Sequence, residues 1–225
     1  MDYQLHPSRL GTKMGMEFLA EEVAHMHENL YPAPISAGKA ECISSKLGLN
    51  VDLFNQALDF LSVNYKDVEK YKSITDIMYE ACETYSESFE QRSREGHIKR
   101  CHGDLKTSNL WVRPAWCQRI GIQRFRKEVL VLDCIDFNPE FYNIDTLSDI
   151  AMLGVDIEMH TMVDQSIQQQ ENLSEYFLYS YLKEAGEDRQ SVRPLLEYYL
   201  AEKAMVRAFM CVLYDSQLLL GEKYL

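Results

Sequence analysis

One stretch, residues 97–137, interrupts a chain that otherwise reads as helix, and that interruption limits the fold more tightly than any composition value. After Gly96 the sequence from His97 to Cys101 reads as a short strand, Leu110 to Arg113 as a second and Val129 to Ile135 as a third. Leu130 to Leu132 contains no polar residue, as expected of a strand covered on both sides. Strands this short need helices packed against them. The expected class is therefore α+β and predominantly helical, with a small β element carrying the loop from Cys101 to Leu110.

The flanking regions carry the 3.6-residue period. Met16, Leu19, Val23, Met26 and Leu30 form an amphipathic stripe within Met14 to Leu30, which stops at Tyr31-Pro32-Ala33-Pro34. His25 and His27 lie two apart, so they do not share a helical face and are expected as core or surface residues rather than a metal pair. Helical patterns follow from Lys39 to Lys46 and from Val51 to Val63, separated by Gly48 and Asn50. Ser73 and Asp76 form a capping start for a long helix with Ile74, Ile77, Met78, Ala81, Cys82, Tyr85 and Phe89 on one face, ended by Gly96. Beyond the interruption, helices are expected from Ile144 to His160, Leu173 to Glu184 and Val192 to Leu213, with Pro194 in the first turn of the last. Pro114 to Lys127 with Arg113 carries four arginines and reads as an exposed hairpin extension, suited to phosphate contact or simply solvated. One unit over 1–225 is expected, with a helical part (1–96), the loop and strands (97–137) and a second helical part (138–225).

A length of 225 residues suffices for a buried core. The net charge of -12 argues against a nucleic-acid partner and favours a cationic one, although solubility also accounts for it. The cysteines at 42, 82, 101, 117, 134 and 211 show no C-x-x-C and no zinc-like spacing to histidine. With no signal peptide and no apolar run of about 18 residues, a reducing cytoplasm and no membrane span are expected.

The chemistry sits in His102-x-Asp104-x-x-x-x-Asn109 and in Ile135-Asp136-Phe137. Phosphoryl transfer needs a carboxylate beside the attacking hydroxyl and oxygen ligands for Mg2+. Asp104 can orient or deprotonate the hydroxyl, Asn109 can offer its amide oxygen to the metal, and Lys106 can offset charge on the phosphoryl group. Asp136 supplies a second carboxylate as principal metal ligand. Asp133 is the rival, and strand alternation would put 133 and 136 on opposite faces.

These residues resemble the aminoglycoside phosphotransferase and choline kinase-like family, which has a protein kinase-like fold. The resemblance covers about residues 10–215 and includes Glu95 to Leu105, Asp133 to Asn138, Ile144-Asp145-x-x-x-Asp149-Ile150-Ala151-x-Leu153 and Tyr199 to Ala208. It is closest to an uncharacterised bacterial branch, in which a histidine commonly stands where this chain has Lys106. It implies a kinase-like C-terminal lobe with Asp104 as catalytic base, Asn109 and Asp136 as Mg2+ ligands, His102 as a loop brace and Asp149 as the residue that stabilises the catalytic loop. It implies Mg2+ with ATP or another nucleoside triphosphate, and transfer to a hydroxyl of a small molecule.

Relatives carry an N-terminal strand-rich lobe with a nucleotide-binding lysine. Here 101 helical-reading residues precede the motif, and neither Lys13 nor Lys39 lies on a convincing strand or follows a Gly-rich loop. The nucleotide lobe is therefore expected to be absent, with a partner chain or a separate lobe completing the ATP site. A non-catalytic, pseudokinase-like binding or scaffold module is the alternative.

Overall fold

The computed structural model describes residues 12–33, 68–119, 122–163 and 172–223. The helical patterns expected over Lys39 to Lys46 and Val51 to Val63 lie outside them, as does Lys39. The described chain is α+β and predominantly helical. Its elements are α1 (Lys13–Glu28), α2 (Val68–Thr84), α3 (Ser86–Arg94), β1 (Ile98–Arg100), a 3-10 turn (Thr107–Asn109), β2 (Leu110–Arg119), β3 (Ile122–Val131), the one-turn α4 (Pro139–Tyr142), β4 (Asn143–Asp145), α5 (Thr146–Val163), α6 (Leu173–Glu184) and α7 (Arg189–Lys223).

The helix α5 is the axis of the packing, and its sequence explains why. From Thr146 to Ile157 every residue is buried, so this stretch is apolar on more than one face and needs neighbours all round. Helix α6 supplies Phe177, Leu178, Tyr181 and Leu182, α7 supplies Val192, Leu195, Leu196 and Tyr199, and α1, packed chiefly on α6, adds Met16, Leu19, Ala20 and Val23 to the same core. Gly154 lets α6 approach closely: a Cβ there would stand 3.2 Å from Leu178, and the Gly154 carbonyl accepts the Ser174 hydroxyl at 2.7 Å. Thr12 caps α1 by accepting the Gly15 N–H at 3.1 Å, and Asp188 caps α7 by accepting the Ser191 N–H at 3.0 Å.

Two small antiparallel sheets frame the loop. In one, β1 pairs with β4 in the register Ile98↔Asp145, Lys99↔Ile144 and Arg100↔Asn143, with a bridge from Pro32 to Lys99 on its other side. In the other, β2 and β3 form a hairpin from Leu110↔Val131 to Arg119↔Ile122. Residues 114–119 and 122–127 thus pair as a hairpin extension, as expected, and it grows from strands longer than the sequence pattern suggests.

Several expectations are corrected. The third strand ends at Val131 instead of Ile135 and, among the described residues, pairs with β2 alone; Leu132 is 49% exposed rather than covered. An unbroken apolar run fits a strand of a two-stranded hairpin as well as a doubly covered strand. Ser73 lies inside α2, which begins by Val68, and the long helix breaks at Tyr85 before α3. Ile77 is exposed, off the face formed by Met78, Cys82 and Phe89. Residues 143–145 pair with β1, which moves the helix start from Ile144 to Thr146. Helix α7 starts at Arg189, so Pro194 lies in its second turn.

Candidate functional site

The loop from Cys101 to Leu110 runs between β1 and β2 and turns sharply at Gly103. There φ is +84°, and a Cβ would stand 2.5 Å from the Phe141 carbonyl oxygen, so only glycine fits both the backbone angle and the space. Leu105, fully buried, pins the middle of the loop into the core. Thr107 to Asn109 then make one 3-10 turn before β2.

Four of the residues singled out by sequence meet in this loop. The His102 ring bridges two strands of chain: Nε2 stands 2.9 Å from the Leu132 carbonyl, and Nδ1 accepts the Asp104 N–H at 3.2 Å. With Nδ1 accepting, Nε2 carries the proton and donates to Leu132. Lys106 Nζ donates to Asp104 Oδ2 at 2.6 Å, and both side chains are about three-quarters buried. Asn109 donates its amide nitrogen to the Asp104 carbonyl at 3.1 Å and, more weakly, to Asp104 Oδ2 at 3.4 Å. That choice turns Asn109 Oδ1 away from Asp104, where only Ser108 Oγ approaches it, at 3.5 Å.

The segment carrying Asp133 and Asp136 runs beside the loop, tied by Leu132 N–H to the Asn109 carbonyl at 2.9 Å and by Ile135 N–H to the His102 carbonyl at 3.0 Å. Strand geometry does not govern it, because Asp133 has φ +62° and residues 132–136 form no ladder. Alternation therefore gives no ground for separating Asp133 from Asp136. Both are exposed, and the Asp136 carboxylate has no partner among the described residues. The Asp136 carboxylate, and Asn109 Oδ1 beyond its long 3.5 Å bond from Ser108 Oγ, are thus oxygen donors of the kind a hard cation requires.

Beneath the loop lies a carboxylate with no solvent exposure, Asp149 on α5. Its Oδ2 accepts the His102 N–H at 3.1 Å, and its Oδ1 accepts the Gly103 N–H at 2.9 Å. His27 on α1 donates from Nε2 to the same Oδ2 at 3.1 Å, while its Nδ1 lies 2.6 Å from the Tyr181 hydroxyl of α6. Burial pushes the Asp149 carboxyl upward, but the His27 and His102 hydrogen bonds outweigh it and hold the group below the usual carboxylate range. Three helices thus converge on one anion that positions two backbone amides of the loop.

A second buried carboxylate, Asp156, holds the other end. Its Oδ2 accepts both the N–H and the hydroxyl of Thr107, at 2.8 and 2.6 Å, and its Oδ1 accepts from Arg207 of α7 at 3.1 Å. Asp149 and Asp156 are seven residues apart, two helical turns, and so share a face of α5. Elsewhere, buried Arg92 is bidentate to both Asp145 and Glu187, and His97 approaches Glu187 at 3.1 Å. That cluster ties α3 to the start of α5 and to the turn before α7.

The polar atoms of His27, Cys101 and Asp149 lie within 4.8 Å of one another. Each is already engaged: His27 with Asp149 and Tyr181, Asp149 with three N–H donors, and Cys101 Sγ with the Ile144 carbonyl at 3.4 Å. Burial raises the Cys101 thiol well above its ordinary value, so it stays protonated, and a metal here would have to displace protons from two of the three groups.

Sequence reasoning singled out Asp149 but missed His27, Thr107, Asp156, Arg207 and the Arg92 cluster. Asp156 left a signal: two acids seven apart in a helix whose intervening residues are mostly apolar are expected to be buried and bonded. His27 left none, since nothing local ties α1 to a residue 122 positions later. Lys13, weighed as a nucleotide lysine, is exposed on α1 with its Nζ 5.4 Å from the Tyr176 ring centre.

No family model matches the chain. It is 28% identical over 120 residues to uncharacterised proteins from two strains of Mycobacterium tuberculosis and from Mycobacterium bovis, covering 53% of this chain and 20% of each relative. The alignment thus spans about a fifth of those proteins. Among the described residues, no helix is long and apolar enough to cross a membrane.

Proposed function

We propose that the chain is the kinase-like catalytic lobe of a phosphotransferase of the aminoglycoside phosphotransferase and choline kinase-like type, moving a phosphoryl group from ATP or another nucleoside triphosphate to a hydroxyl of a small molecule. The observation that carries this reading is the single cluster of Asp104, Lys106 and Asn109, with its backbone held from below by Asp149. Asp104 orients the acceptor hydroxyl and takes its proton. Lys106 exchanges the Asp104 carboxylate for the phosphoryl oxygens of the bound donor. Asn109 Oδ1 and Asp136 hold Mg2+, with Asp133 as the alternative carboxylate; the ion, when bound, neutralises phosphate charge. His102 braces the loop against Leu132. The net charge of -12 suits a cationic acceptor, and a partner chain or nucleotide lobe completes the ATP site.

One observation favours the alternative, a non-catalytic binding module: Lys106 occupies the carboxylate that the acceptor would need. A single series separates the two. Mg2+ with ATP should raise the melting temperature of wild type, and Asp136→Ala should abolish that rise. Asp104→Asn should keep the rise and lose transfer to hydroxylated amines. No rise at millimolar nucleotide would refute autonomous binding, and full activity in Asp104→Asn would refute the role of Asp104.

A further inference from the structure

The two ends of the loop are held by different machinery. The His102 end depends on Asp149 and, through it, on His27. The other end depends on Asp156, which is 2% exposed and meets Thr107 twice through one oxygen. Arg207 occupies the other oxygen, and His160 Nε2 stands 3.8 Å from Oδ2. A carboxylate can rotate about its last bond; the Arg207 guanidinium on Oδ1 decides which oxygen faces Thr107 and balances the buried charge. Thr107 opens the 3-10 turn that closes with Asn109 N–H on the Lys106 carbonyl at 2.9 Å, so displacing Thr107 displaces the Asn109 amide.

We infer that Arg207, acting through Asp156 on Thr107, is a positioning residue for the Asn109 end of the loop, separate from the His27 and Asp149 pair that positions the Asp104 end. Its functional consequence rests on the phosphotransferase reading: Arg207 sets the placement of a metal-ligating oxygen 98 residues before it in sequence, through Asp156 and Thr107. Its structural consequence stands without that reading.

The test uses the full chain and two readouts. Amide hydrogen exchange by NMR should show Thr107 exchanging about tenfold faster in Arg207→Met, as expected for a weakened charge-assisted bond, with His102 and Gly103 unmoved. Thr107→Val should speed exchange at its own amide as well, and Arg207→Lys should restore much of the protection. His27→Gln should give the mirror pattern, faster at His102 and Gly103 only. Unchanged Thr107 exchange in Arg207→Met, or equal acceleration at both ends, would overturn the inference. In Mg2+ titrations of ATP-dependent thermal stabilisation, Arg207→Met should need several-fold more Mg2+ and Arg207→Lys should not; equal Mg2+ demand in both would remove the link to Asn109. If wild type shows no such stabilisation, autonomous nucleotide binding fails, while the exchange pattern still decides whether Arg207 positions Thr107.

Discussion

Replacing Asp149 with asparagine should destabilise the protein more than its conservative chemistry suggests. The carboxylate accepts from three buried N–H groups, those of the His102 backbone, the Gly103 backbone and the His27 ring. An asparagine keeps one accepting oxygen and turns two new N–H groups toward these donors. An unmet buried donor costs about 1–3 kcal/mol, and the three share one acceptor, so their losses overlap; about 3 kcal/mol is expected for Asn and about 3–5 kcal/mol for Ala. Guanidinium unfolding followed by circular dichroism would read this as a lower midpoint at unchanged slope.

The pH dependence has a definite sign. The folded carboxyl lies below its unfolded value, so the unfolded chain binds the proton first as pH falls. The stabilisation is therefore complete above the unfolded value of about 3.9 and is lost as pH drops through the lower folded value. The deficit of Asp149→Asn should be full at neutral pH and shrink in acid. A deficit under about 1 kcal/mol at neutral pH, or one that does not diminish on acidification, would refute the assignment of Asp149 as an ionised anchor.

Two further perturbations probe the frame around the loop. Gly103→Ala should cost about 2 kcal/mol more than Gly96→Ala, because both have positive φ but only at Gly103 would the new Cβ meet backbone, the Phe141 carbonyl; equal thermal shifts in the two variants would contradict this. Burial raises the Glu187 carboxyl, but His97 and Arg92 outweigh it and bring it down to about 2. Its stabilisation should be present above the unfolded glutamate value and fade as pH falls toward about 2, so Glu187→Gln should flatten the acid limb of the stability curve. An unchanged acid limb would show that the ion cluster does not contribute.

Much of the helical frame was legible because burial leaves a period in the sequence. Leu173 to Glu184 emerges with the expected bounds, and the stripe of α1 buries Met16, Leu19 and Val23 as its spacing requires. Boundaries failed where pairing between distant segments overrode local pattern. Residues 143–145 look like the start of a helix but supply a strand, because β1 offers them hydrogen bonds. The apolar run after Glu128 looks doubly covered, but among the described residues only β2 pairs beside it.

The candidate site divides the same way. The identity and spacing of His102, Asp104, Lys106 and Asn109 were in the sequence, because a short loop holds them and five residues can return on themselves. Asp149 and Asp156 stand seven apart in the sequence, a spacing that puts them on one helical face, although only Asp149 was singled out there. What holds them, and hence what they hold, was decided only in three dimensions: His27 comes from 122 residues before Asp149 and Arg207 from 51 residues after Asp156. A buried carboxylate must find donors, but the sequence does not say which, since any helix packed within reach can supply one. The loop's chemistry is thus local, and its rigidity is a property of the tertiary packing of α1, α5, α6 and α7.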